Sequence, residues 1–199
     1  MKSRGSHLFL AVAIPPAIRS QISDLRGQLA NGSKAFKKLV HPDDYHITLK
    51  FLGVVEDGLV EQVRSAAAHA VSEHTLFTLR AAGVGVFGKP ATPRILWLGV
   101  GGDTTALSKL QSDVEAAMVP LGFAREDRPY RPHITLAKSY VGEVPFELTQ
   151  AGRAIDQQVM ALTWEVGEVV LYRTHLGAAP MYEPVAELAL SRVDSARSS

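Results

Sequence analysis

The sequence predicts an α+β fold built by duplication, with two lobes packed together as one domain. Three observations carry that expectation. The segment His-Ile-Thr-Leu occurs twice, beginning at His46 and again at His133, 87 residues later. The same displacement carries the apolar run 7–14 onto 94–101, another run of strand type. Around these landmarks each half reads strand, helix, strand, helix, strand. The expected pseudo-repeats are residues 7–87 and 94–174, within one domain of residues 1–190. The polar end 191–199 is expected to be disordered.

Taken in order, Leu8 to Ile14 is continuously apolar and reads as a buried strand. Pro15 and Pro16 open a helix that runs to about Ala30, because proline is tolerated in a first turn. The segment SKAFKKLVHPDDY is expected to be a connecting loop with a basic cluster. His46 to Leu52 alternates as a two-faced strand, and Gly53 is expected to end it. Val60, Val63, Ala67 and Val71 make a helical stripe, followed by β-like sequence from Leu76 to Val86. In the second half Ile95 to Val100 is a strand, and Asp103 or Thr104 can cap a helix with the stripe Leu107, Leu110, Val114, Met118. After the loop GFAREDRPYRP comes the strand from His133, a helical expectation for 146–156, strands around Gly167, and an edge strand over 181–188.

Composition narrows the function. A formal net charge of +1 makes no global demand for a nucleic-acid partner, so any basic surface is local. The absence of cysteine removes disulfides, thiolate catalysis and cysteine zinc sites, and it fits a reducing, cytoplasmic setting. No apolar run reaches the roughly 20 residues of a membrane span. No oligomer interface is legible, and a monomer is expected.

In a strand, residues i and i+2 share a face. His46 and Thr48 therefore share one face and Ile47 and Leu49 the other, and likewise His133 and Thr135 against Ile134 and Leu136. If two-fold symmetry relates the lobes, both His/Thr pairs line one cleft. Two opposed imidazoles can take a proton from a nucleophile and give one to a leaving oxygen near neutral pH. Threonine hydroxyls can bind the non-bridging oxygens of a phosphorus centre. The chemistry so described is metal-free opening of a phosphodiester, most easily a cyclic one. A zinc site from His41, His46 and His133 is the competing assembly, but it leaves the paired threonines unexplained.

HITLKFLG and RPHITLAK resemble the two signature motifs of the 2H phosphoesterase superfamily. FLAVAIPP at the start and VVLYRTHL…YEPVAEL near the end resemble the RNA 2′,3′-cyclic phosphodiesterase family, also called 2′-5′ RNA ligase-like. The resemblance implies a bilobal fold, two antiparallel-rich sheets with outer helices facing each other across a central cleft. It implies hydrolysis of RNA 2′,3′-cyclic phosphate ends to 2′-phosphates without a cofactor. It makes His46 the acid and His133 the base, roles the identical motifs do not themselves distinguish, and puts Thr48 and Thr135 on the phosphate. Small cyclic nucleotides as substrate, 2′-5′ ligation, and non-catalytic binding of phosphorylated RNA ends are the alternatives.

The family commonly carries arginine after the second motif, where this chain has Lys138. On a regular strand Lys138 faces away from His133 and reaches the phosphate only if the strand bulges near Ala137. Arg131 has the right parity if Lys138 does not. Lys50 is expected to share the His46 face. Phe9, Tyr172 and Tyr130 are candidates to contact RNA or stack a base.

Overall fold

The computed structural model describes residues 5–29, 35–147 and 161–192. Its elements run β1 (Gly5–Ala13), α1 (Pro16–Leu29), β2 (Phe36–Leu39), β3 (His46–Glu56), α2 (Val60–Ser72), β4 (Phe77–Lys89), β5 (Thr92–Gly102), α3 (Thr104–Met118), β6 (His133–Tyr140), β7 (Thr163–Val166), β8 (Glu168–Thr174) and β9 (Tyr182–Ala189). Nearly all of the expected helix at 146–156 and most of the tail at 191–199 lie outside the described residues.

Eight strands follow the order β7-β4-β5-β6-β3-β1-β8-β9, with β2 paired to β6, and the strand pairings are antiparallel. The order is symmetric about its centre. β1 lies between β3 and β8, and β5 lies between β6 and β4. The third strand of each half has therefore crossed over: β4 completes the half-sheet of β5, and β8 completes that of β1. The half-sheets join through one pair, Ile47 opposite Ile134. These two residues are themselves 87 apart, so the pseudo-dyad passes between them. The two expected sheets are halves of one.

Alternation sorts the side chains. Leu8, Leu10, Val12, Ile47, Leu49, Leu98, Ile134, Leu136, Val169 and Leu171 belong to one large core that also takes Val63, Ala67 and Val71 of α2 and Leu107, Leu110, Val114 and Met118 of α3. α2 and α3 pack on each other, with α3 against β3 and α2 against β8 and β9. The Asp103 side chain caps α3 by accepting the Ala106 N–H at 2.9 Å. On the opposite face Phe9, Ala11, Val170 and Tyr172 form a small separate cluster.

Two expectations are corrected. Phe36 to Leu39 is a strand, since Phe36 is buried while its backbone pairs with Tyr140 of β6. Gly53 does not end β3. It takes φ +70° where Leu8 faces Gly53 and Phe9 faces Phe51, so the strand bulges at Leu52 and continues to Glu56.

Candidate active site

The pair Ile47–Ile134 fixes the site. Both isoleucines are fully buried in the core, so the flanking residues His46, Thr48, His133 and Thr135 lie on the opposite face. Antiparallel register puts Thr135 on the side of His46 and His133 on the side of Thr48. The four polar side chains of the two motifs are thus gathered at the pseudo-dyad.

Both imidazoles are oriented in the same way. His46 Nδ1–H donates to the Asp44 carbonyl at 2.7 Å, and His133 Nδ1–H donates to the Arg131 carbonyl at 2.7 Å. A carbonyl only accepts, so Nδ1 carries the proton and Nε2 is the atom left to exchange one. In His46, Nε2 accepts from Thr48 Oγ1 at 3.1 Å. Burial pushes the His46 pKa down to about 4, with Lys138 and His133 adding repulsion and the Asp44 carbonyl and charge resisting it. His133 is also held below the usual histidine range, by burial and by Lys138, against the Arg131 carbonyl bond. Both shifts favour the neutral ring.

Aromatic rings pack each histidine. Phe9 lies 4.9 Å from His46 and stacks on Tyr172 at 5.3 Å, while Tyr182 meets His46 edge-on at 5.1 Å. Phe87 meets His133 edge-on at 5.0 Å, and Trp97 lies 6.2 Å away. Trp97 can lie there because its strand partner is Gly85, where a Cβ would come within 2.1 Å of the indole. Phe9 and Tyr172 are buried together in the small cluster beside His46 and are not free platforms for a base.

A matched pair of bulges decides which lysine reaches the site. Leu10 faces Lys50 and Ala11 faces Thr48, leaving Leu49 unpaired; Leu96 faces Ala137 and Trp97 faces Thr135, leaving Leu136 unpaired. After each bulge the parity flips. Leu136 and Ala137 are both buried, and Lys138 turns to the histidine face, where its charge bears on His46 and His133. Burial and neighbouring Lys38, its strand partner on β2, lower the Lys138 pKa.

The same flip removes Lys50 from the site. Lys50 is 6% exposed and its Nζ pairs with Glu115 of α3 at 3.0 Å and donates to the Ala124 carbonyl. The expectation that Lys50 shares the His46 face is corrected, because β3 is not regular past Leu49. Tyr130 is also corrected: its hydroxyl donates to the Thr48 carbonyl at 3.1 Å, so it clamps the 122–132 loop onto β3. The Arg131 side chain is exposed, and its carbonyl is what meets His133. Arg128 is paired with Glu126 at 2.9 Å. His41 accepts the Asp43 N–H at 3.2 Å, as the cap of a short 3-10 turn.

Three residues around the site, Phe51, Phe87 and Tyr182, are not singled out by the sequence. Phe51 follows the bulge in β3 and is 70% exposed beside Phe9. Phe87, Tyr182 and Asp44 support the imidazoles. The repeat is the sequence signal for Phe51 and Asp44, which lie 87 residues before Lys138 and Arg131.

A duplicated antiparallel sheet with paired His-x-Thr segments at its dyad defines a class of protein, and the comparisons agree with it. The family model of the 2′-5′ RNA ligase superfamily matches residues 14–178. The RNA 2′,3′-cyclic phosphodiesterase of Bacillus subtilis is 33% identical over 93% of the chain and 97% of its own length. The protein of that name from Geobacillus stearothermophilus is 40% identical over 93% of the chain, which spans 57% of that relative's length. The structure of E. coli LigT complexed with 3′-AMP superposes with a TM-score of 0.77 and 25% identity, covering 94% of this chain and 99% of that one. The chain belongs to the 2′-5′ RNA ligase superfamily, the 2H phosphoesterases.

Proposed function

We propose that the chain hydrolyses 2′,3′-cyclic phosphodiester ends of RNA to 2′-phosphomonoesters without a metal. One observation carries this reading: two imidazoles of the same tautomer stand across a pseudo-dyad with a threonine beside each and one lysine whose charge reaches both. The names of the Bacillus and Geobacillus relatives support the substrate.

His133 Nε2 takes a proton from water as the oxygen attacks phosphorus. The bond from phosphorus to O3′ breaks, and His46 Nε2–H delivers a proton to that oxygen. Thr48, Thr135 and Lys138 bind the non-bridging oxygens, where negative charge builds. Burial favours the neutral form of His46. The phosphodiester anion raises the pKa of the nearby imidazoles and partly offsets Lys138, so His46 is loaded with its proton as substrate arrives.

The test is an RNA oligonucleotide ending in 2′,3′-cyclic phosphate, incubated with EDTA and identified by its terminal phosphate. Wild type should give the 2′-phosphate, and His46→Ala and His133→Ala should each lose about 10²- to 10⁴-fold in rate. Turnover abolished by EDTA would remove the metal-free mechanism. Turnover of 2′,3′-cyclic mononucleotides alone would move the substrate to small cyclic nucleotides. Tight binding without product, unchanged in His46→Ala, would support a binding module.

A further inference from the structure

The residue two before each histidine lends its carbonyl to the imidazole, but the side chains at those matched positions differ: Asp44 before His46, Arg131 before His133. Arg131 is exposed. Asp44 is 5% exposed, and its carboxylate accepts the Met181 N–H at 2.9 Å on each oxygen and the Tyr182 N–H at 3.0 Å. The proposed reaction uses none of these bonds. They fasten the start of β9 to the turn before β3, which sets the Tyr182 ring edge-on to His46, with an interplanar angle of 87°.

We infer that Asp44 is the positioning residue that makes His46 the proton donor of the pair. It holds the imidazole between its own carbonyl and the Tyr182 ring, and it puts a buried negative charge beside His46, whereas among the described residues no carboxylate acts on His133. The inference rests on the acid–base reading above and supplies what the identical motifs lack, a physical difference between the two histidines.

The groups facing His46 are Asp44 from its own turn, Lys138 and His133 from β6, Tyr172 from β8 and Tyr182 from β9. Lys138 bears on both histidines and does not discriminate between them. The two phenols stay neutral near pH 7, their pKa values raised by burial, that of Tyr172 to about 12. Asp44 is therefore the one anion of this set, and its field opposes, without overcoming, the burial that drives the proton off His46 in the free protein.

The experiment compares pH profiles of kcat on cyclic-ended RNA for wild type and Asp44→Asn, because kcat reports the bound complex in which His46 holds its proton. A general acid must be protonated, so His46 governs the alkaline limb. Losing the carboxylate charge should move that limb to lower pH by roughly one unit and leave the acidic limb of His133 in place. At the pH of the wild-type alkaline midpoint, kcat should fall several-fold with KM nearly constant. A uniform loss of activity with both limbs unmoved would make Asp44 a structural tie and overturn the inference. If Asp44→Asn does not fold, NMR titration of the wild-type imidazoles with inorganic phosphate bound decides: His46 should titrate above His133, and the same or inverted order overturns it. A wild type inactive on cyclic-ended RNA would instead defeat the acid–base reading itself.

Discussion

Phe51 and Lys138 occupy matched positions 87 residues apart, each turned onto the histidine face by a bulged leucine two residues earlier. On a regular strand they would share the faces of Ile47 and Ile134 and enter the core. The duplication thus presents an aromatic ring from one half and a cation from the other, at corresponding edges of one site. The chemistry of the two edges differs although the backbone that builds them is the same.

Lys138 serves as the phosphate cation in the proposed reaction. Lys138→Ala should raise KM and lower kcat, for a combined loss of about 10²-fold, while Lys138→Arg keeps most of the activity because the charge is retained. Removing this cation also relieves repulsion on His133. The His133 pKa then rises, and the acidic limb of the pH–rate profile moves to higher pH. Steady-state kinetics across pH on cyclic-ended RNA reads both effects, and an unmoved acidic limb would place Lys138 outside the site.

Phe51 is 70% exposed, so its side chain contributes little to the core. Phe51→Ala should change stability by less than about 0.5 kcal/mol. A base stacked on the ring is worth roughly 1–3 kcal/mol, so KM for an oligonucleotide should rise about tenfold with kcat little changed. Equal KM values for the two proteins would show that the base lies elsewhere.

Much of this site was legible in the sequence because a repeat supplies its own control. Two copies of His-Ile-Thr-Leu give the faces of four residues, and the matched strands give the architecture. Residues past the threonines were not legible by alternation, because one extra residue in a bulge reverses every face beyond it. For that reason Lys50 was assigned to the site and Phe51 was missed, while the condition set for Lys138, a bulge near Ala137, is met by Leu136. The crossing of β4 and β8 into opposite half-sheets also leaves no local signal, since each strand alternates in the same way whichever neighbour it pairs with.

Stability should depend on pH through His46. Its folded pKa of about 4 lies below the ordinary histidine value of 6.5, and burial is the main cause. The unfolded chain therefore binds the proton more readily than the folded one between those values. The contribution is complete above pH 6.5 and is lost as pH falls towards 4. Its size is on the order of 2 kcal/mol after allowance for partial exposure. Thermal melts of wild type and His46→Gln across this window should converge at acid pH, with the variant showing the flatter dependence. Parallel curves would show that His46 keeps an ordinary pKa.

Lys50 and Glu115 form a buried ion pair, 6% exposed at each residue, with Nζ 3.0 Å from Oε1. The pair also anchors the loop that precedes β6. Lys50 donates to the Ala124 carbonyl, and Glu115 accepts the Glu126 N–H at 3.0 Å. That loop carries Tyr130, which holds the Thr48 carbonyl, and Arg131, which orients His133. Removing one partner leaves a charge buried without its counter-ion, a loss of about 3–5 kcal/mol. Lys50→Met should therefore be strongly destabilised in chemical denaturation. Lys50→Met combined with Glu115→Leu should recover much of that loss, because no buried charge remains unpaired. The two backbone bonds do not return in the double variant, so the loop is less firmly held. Its kcat should stay below wild type even where its stability approaches it. Recovery of stability and full kcat together would show that Tyr130 and the strand register alone hold the loop against β3.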